Sequence, residues 1–350
     1  MNCQAAQNIA NVVLYEGYIL YPYRPSAVKN RQRFNFGVIY PREYCQALNS
    51  GDSWQSQTEV LVRGGQGTRV DVRVKFLQLI ERSVLARNAT TNEYTLVDQI
   101  EVDGKNFSSW QEAVEQEISI DGLPLTELVS SPKELNRDFA QSVASEPICN
   151  EQGGLAGEIV RNRETVNLHV IAVAEQVATN VHRLSVRIAN PTAIHPSPKR
   201  QQALMRAAVS CHVILGVEQG EFVSLIDTPD ELRELAAACR NVGLFPVLVG
   251  LDGSHDTMMA SPIILYDHPQ VAPESAGELF DGTEIDEILS LRILALTDQE
   301  KKEMRASDAR SRQILDRTEA LPAEQFMKLH GVLRSMRPLK NTQDGIDPHE

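Results

Sequence analysis

Residues 68–79 read TRVDVRVKFLQL, and the alternation in that run constrains the fold more than any other feature of the chain. Val70, Val72, Val74 and Phe76 take every second position, with Arg69, Asp71, Arg73 and Lys75 between them. A period of two suits a pleated strand, whose successive side chains leave on opposite faces, and misfits a helix. One apolar and one charged face predict an antiparallel sheet with one wetted side. A second strand is expected over Thr58 to Val62, joined to the first by a turn at Gly64-Gly65-Gln66-Gly67. That glycine run lacks the following helix that a phosphate-cradling P-loop requires.

The same alternation returns at Thr165 to Ala174 and at Val181 to Ile188, and both segments are expected to join the first sheet. Before it, Tyr15 to Tyr21 and Phe34 to Tyr40 read as strands around an irregular connection, because Pro22 and Pro25 forbid a continuous helix. A turn is expected at Val102-Asp103-Gly104-Lys105, and a helical run near Trp110 to Ala113. A polar surface connection follows over 130–157, with a short helix at Glu134 to Val143.

After Asn190-Pro191-Thr192 the spacing changes. Leu204, Ala208, Cys211 and Leu215 recur at helical intervals and predict a helix over Gln201 to Leu215. Short strands at Phe222 to Ile226, Phe245 to Val249 and Pro262 to Tyr266 follow. With a helix running from Thr228-Pro229-Asp230-Glu231 to Gly243, they read as a small α/β unit. Further helices are predicted from Thr283, from a capping box at Thr297 to Glu300, and from Pro322. The predicted class is α+β. A largely antiparallel N-terminal β region covers 1–192 with an inserted loop near 130–157, an α/β unit covers 193–280, a helical segment covers 281–338, and a disordered tail covers 339–350.

The 350 residues carry a formal net charge of -13, which repels polyanions at long range and makes nucleic acid an unfavoured partner. Five cysteines, an odd number with no C-x-x-C pair, point to reduced thiols and away from zinc or iron–sulfur sites. The N-terminus lacks a basic segment followed by an apolar one, and no apolar run approaches the roughly 18–20 residues of a spanning helix. A cytoplasmic protein with no membrane insertion and no cofactor is expected.

Against that acidic background, the stretch from Leu14 to Tyr44 is unusual. Between Gly17 and Arg42 there is no carboxylate, while Arg24, Lys29, Arg31, Arg33 and Arg42 bring positive charge. Tyr15, Tyr18, Tyr21, Tyr23, Tyr40 and Tyr44, among the chain's eight tyrosines, fall in the same stretch. Arginine and tyrosine dominate protein interfaces, because they join large contact area to directional hydrogen bonds. A partner-binding surface is therefore expected from Tyr21, Tyr23, Arg24, Lys29, Asn30, Arg31, Arg33, Phe34 and Tyr40. The competing reading is a structural loop whose arginines pair with carboxylates of the same chain. Stacked bases of an RNA are a third reading.

A second candidate is the loop Leu251-Asp252-Gly253-Ser254-His255-Asp256, since loops at strand ends often carry chemistry. Asp252, His255 and Asp256, with Asp267 and His268 behind them, have ligand types for a metal. The competing reading is a solvated loop. Ser254, His255 and Asp256 are too close in sequence to converge as a triad. Cys211 and His212 point about a hundred degrees apart on a helix and read as a buried thiol beside a histidine at the polar edge. His195, in Ile194-His195-Pro196, is a further candidate. The acidic run from Glu274 to Glu287 lacks calcium-loop spacing. It reads as a solvated face, or as the complement of the basic stretch on the same or another molecule.

YPYRPSAVKNRQRFNFGVIYP and DGTEIDEILSLRILALTDQEK resemble an uncharacterised family associated with gene neighbourhoods of nickel–iron uptake hydrogenases. The resemblance covers most of the chain and brings no catalytic residues with it. It implies an accessory role in assembling or maturing a hydrogenase, with hydrogenase subunits as the protein partner. The absence of C-x-x-C pairs and of a histidine-rich tract departs from the nickel-delivery proteins of such systems. The expected function is thus a non-enzymatic interaction or assembly factor, with homo-oligomerisation left open. A metal-dependent hydrolase using Asp252 to Asp256 and an RNA-binding module are the alternatives.

Overall fold

A computed structural model describes residues 36–48, 51–195, 199–269, 293–307, 309–320 and 322. In chain order the first elements are α1 (Arg42–Leu48), β1 (Gln55–Arg87), β2 (Tyr94–Val97), β3 (Gln99–Val102), β4 (Lys105–Ser108), β5 (Trp110–Pro124) and α2 (Leu125–Ser130). Then come β6 (Lys133–Phe139), β7 (Ser142–Cys149), β8 (Leu155–Arg163), β9 (Val166–Ala178), β10 (Val181–Ala189), α3 (Arg200–Leu204) and β11 (Val209–Val223). The last are α4 (Arg233–Ala237), β12 (Phe245–Leu248), β13 (Thr257–Ser261), α5 (Asp298–Ser307) and α6 (Ala309–Glu319). Eleven strands form one antiparallel sheet, and β3 pairs with β4 in a separate hairpin. The α+β expectation is therefore corrected. The structure is mostly β, with 53% strand and 17% helix.

The 33-residue β1 is the spine of the sheet. Along one edge it pairs in turn with β10, β5 and β2, and along the other with β11 and then β8. β9 and β6 extend the sheet beyond β10, β13 and β12 beyond β11, and β7 beyond β8.

The expected turn at Gly64 to Gly67 does not reverse the chain. Gly64 pairs with Gly220 and Arg69 with Glu218, so four β1 residues stand opposite Gln219 alone. The result is a wide bulge within one continuous strand. A hairpin would have paired the two halves of β1 with each other; each half instead finds partners contributed by distant sequence. Thr68 ties the bulge down, accepting from Gly65 N at 2.9 Å and donating to the Gln219 carbonyl at 2.7 Å. The strand bends at this point, and the apolar faces of both halves meet in one core. Val60 and Val62 from before the bulge join Val70, Val72, Val74 and Phe76 from after it, with Leu168 and Val170 of β9 and Val186 of β10 opposite them.

A Cβ on Gly220 would lie 2.7 Å from the Arg63 carbonyl oxygen and 2.9 Å from Thr68 Cγ2. Gly220→Ala is accordingly expected to cost about 1–3 kcal/mol by overpacking, read from a chemical-denaturation midpoint. An unmoved midpoint would show that the bulge has room to relax.

The charged face of β1 is wet at Arg69 but covered further along, where Leu77 and Leu79 pack with Tyr40, Tyr44, Leu204 and Val209. The helix expected over Gln201 to Leu215 stops at Leu204, and Val209 to Val223 form a strand. β11 is buried on both faces, Cys211, Val213 and Leu215 in the main core and Ile214 in a second cluster with Val247 and Leu265. A segment apolar on both sides shows no period of two, so four residues at helical intervals misled the reading. The region expected as a separate α/β unit thus adds β11, β13 and β12 to the same sheet. Glu134 to Val143 and Trp110 to Ala113 are strand where helix was expected, and 130–157 holds β6 and β7. The helix expected after Pro229 shrinks to a 3-10 turn at Asp230–Leu232 followed by α4. Pro262 to Tyr266 follow a strand and do not form one.

Other expectations hold. β9 and β10 join the sheet as read. The turn at Asp103 and Gly104 takes positive φ at both residues, closing β3 onto β4. Thr297 opens α5 with its capping box, the Thr297 N–H donating to Glu300 at 2.8 Å and the Glu300 N–H to Thr297 Oγ1 at 3.3 Å. α5 and α6 pack as a hairpin around Ile293, Met304, Ile314 and Leu315, lying against β4. Among the described residues no helix is long and apolar enough to cross a membrane. The segments Tyr15 to Tyr21 and Thr283 to Glu287, and the chain beyond Pro322, lie outside the described residues.

Candidate functional site

The basic-aromatic stretch enters the fold through its C-terminal end. The Phe36 and Gly37 carbonyls accept from the N–H groups of Ser210 and Cys211, each at 3.0 Å. Ile39 exchanges two hydrogen bonds with Ala208 at 2.9 and 3.1 Å. These four bonds dock residues 36–39 against the start of β11, with Ile39 and Ala208 forming an isolated antiparallel bridge, so the strand expected over Phe34 to Tyr40 is not formed in its described part. Tyr21, Tyr23, Arg24, Lys29, Asn30, Arg31, Arg33 and Phe34 lie outside the described residues.

Tyr40 is buried, its ring 5.3 Å from that of Tyr44 with the Arg200 guanidinium 5.5 Å from its centroid. Burial raises its phenol well above the ordinary value. Tyr44 donates to Asp52 at 3.3 Å, and Arg200 donates to the other oxygen of the same carboxylate at 3.3 Å. Tyr40 thus belongs to the packing beneath α1 and presents no exposed ring. Arg42 is exposed and sits over the Trp54 ring at 4.8 Å.

The loop candidates come together only in part. The rings of His255 and His268 face each other edge to face, centroids 6.5 Å apart. His255 Nδ1 lies 3.0 Å from the Phe222 carbonyl, so that nitrogen carries the proton. Asp267 is engaged by its own chain, accepting from the Leu248 N–H at 2.8 Å and from the Ser224 hydroxyl. Asp256 accepts from Ser254 at 3.0 Å and Thr257 at 2.9 Å. Burial opposes its charge, and the two hydroxyl donors lead the contributions that hold its carboxyl below the ordinary value. Asp252 is exposed on the turn. Among the described residues no group of three histidine, cysteine or carboxylate side chains has a geometry that holds a metal ion. The arrangement fastens the 262–268 segment to β12 and does not assemble a nucleophile with a base.

Because β11 is a strand, Cys211 and His212 project to opposite faces. Burial pushes the Cys211 thiol up to about 12, which leaves it unreactive. His212 is fully buried, correcting its placement at a polar edge. His195 is exposed. The sequence reading missed a buried polar cluster on this face. Ser210, at φ +54°, offers its carbonyl to His212 Nδ1 at 2.5 Å, and the buried Lys75 stands opposite His212 in register. A serine followed two residues later by a histidine in an apolar run was the available signal.

A row of exposed apolar side chains was missed as well. After β13 the chain turns at Pro262 and returns along the outer edge of β12, where the His268 N–H donates to the Leu248 carbonyl at 2.7 Å. Ile263 and Leu265 tuck into the cluster around Val247 and Met259, while Ile264 is 73% and Tyr266 83% exposed. Leu251, just beyond β12, is 75% exposed and Phe245, at its start, 42%. The four flank one edge of the sheet. Its charge is one-sided: from Asn241 to Leu291 the sequence has no lysine or arginine. That gap was the signal for it. Comparison with protein-family models gives no match, and comparison with curated proteins gives none.

Proposed function

We propose that the chain is a non-enzymatic interaction factor that engages a protein partner through its basic-aromatic stretch. The observation that carries this reading is the anchoring of Phe36 to Ile39 against the start of β11, which holds the C-terminal end of the stretch on the rigid sheet. A cationic, aromatic segment held at one end to a rigid scaffold suits capture of an acidic protein surface. The charge steers the encounter and the rings supply contact area. The resemblance to the hydrogenase-associated family suggests the subunits of a nickel–iron hydrogenase as the partner and assembly as the role.

The test is co-expression of the tagged chain with those subunits. The wild type is expected to co-elute with a subunit, and Arg31→Glu with Arg33→Glu to weaken recovery by at least about tenfold. A wild type that recovers no subunit removes the hydrogenase role. A double variant that recovers the subunit undiminished removes the basic surface.

A further inference from the structure

We propose that the rim formed by Phe245, Leu251, Ile264 and Tyr266 is the seat of the chain's own basic-aromatic stretch, residues 14–35. Ile264 and Tyr266 are largely exposed on the segment that runs beside the outer strand β12, and exposed apolar surface of this size is suited to a contact. Three features of the molecule say what covers it.

The first is charge. The rim segment, residues 241–269, carries Asp252, Asp256 and Asp267 and no lysine or arginine. Asp267 meets a hydroxyl and an amide, and neither it nor Asp252 forms an ion pair among the described residues. Residues 18–35 are the converse, with Arg24, Lys29, Arg31 and Arg33 and no carboxylate. The second is composition. Tyr18, Ile19, Leu20, Tyr21, Tyr23 and Phe34 supply apolar and ring surface to match the rim, and an arginine over the Tyr266 face gains a cation–π contact.

The third is position. The described chain starts at Phe36, and Gly37 lies so close to Pro262 that a Cβ there would sit 2.6 Å from the proline ring. Pro262 is two residues from Ile264. A 22-residue segment spans up to about 70 Å when extended, so reach does not limit the contact. Attachment at this point gives the stretch a local concentration on the order of millimolar, which favours it over the same segment of a second copy. Seated in this way, the stretch covers the rim, and a partner must displace it in order to bind. That last consequence rests on the proposed function; the contact itself does not.

Limited trypsin digestion of the purified full-length chain, followed by mass spectrometry, tests the contact. Cleavage after Lys29, Arg31 and Arg33 is read against cleavage after Arg233, an exposed helical site remote in sequence. Tyr266→Asp with Ile264→Asp is expected to speed cleavage at the three N-terminal sites by about tenfold or more, the loss of roughly 1.4 kcal/mol of protection, with Arg233 unchanged. If that variant also speeds Arg233, its fold is damaged, and Asp252→Lys at the exposed turn decides by charge alone, with the same selective acceleration expected. Equal rates in wild type and Asp252→Lys overturn the proposal. So does wild-type protection that disappears on dilution, which assigns the rim to a second copy. Because the digestion contains no partner, its result stands apart from the co-elution test.

Discussion

Phe76→Ala is expected to lower the unfolding free energy by about 3–5 kcal/mol, the range for emptying an aromatic site in a packed core. Phe76 is fully buried, and its ring meets that of Phe139 edge to face at 5.0 Å and 85°. That pair adds about 0.5–1.5 kcal/mol beyond the buried area. The position matters because Phe76 lies on β1 and Phe139 on β6, at the far end of the folded sheet. Removing the ring opens a void between the two halves of the core. The measurement is a urea or guanidinium midpoint, with Tyr94→Ala, at a 43% exposed ring, as the surface control. A loss below about 1 kcal/mol would show that the core refills the site.

The second large effect is on pH dependence. His212 is fully buried, and burial first, then the nearby Lys75 charge, push its imidazole down to about 4, while the Ser210 carbonyl pulls the other way. Nδ1 donates to that carbonyl, and the deprotonated Nε2 has no hydrogen-bond partner among the described residues, the pattern of a neutral ring. In the unfolded chain a histidine titrates near 6.5, so below that value the unfolded state binds a proton that the folded state refuses. Stability is therefore intact above about pH 6.5 and falls as the pH drops towards 4, by about 3 kcal/mol in all. Other groups titrate in this window, so the readout is a difference. Between pH 7 and 4.5 the wild type is expected to lose about 2 kcal/mol more than His212→Gln. Parallel profiles for the two proteins would place the ring in contact with water.

Legibility varied along the chain for physical reasons. Where one face of a strand is buried and the other polar, the period survives in the sequence, as at Val70 to Phe76 and in β9 and β10. Capping at Thr297 and the turn at Asp103-Gly104 were readable because they depend on residues a few positions apart. β11 was lost because both of its faces are covered, by the core and by the segment after β13. The GGQG run was misread because a local glycine cluster cannot say whether the flanking strands pair with each other or with strands far along the chain, as they do with β5, β10 and β11. For the site, charge segregation was legible and location was not. The rim exists because Asp267 and His268 are tied to Leu248, leaving Ile264 and Tyr266 exposed.

What this sequence determined by itself is the local chemistry. It set which runs are pleated, which turns close, where helix α5 begins, and how charge divides between residues 18–35 and 241–291. Those properties depend on neighbours within a few positions and on composition. Only the tertiary structure decided that β1 continues through its glycines as one spine, that β11 pairs against it, and that four apolar side chains line an open edge. Pairing and exposure depend on competition among strands far apart in the chain, and that competition is settled by which arrangement buries both halves of β1 in a single core.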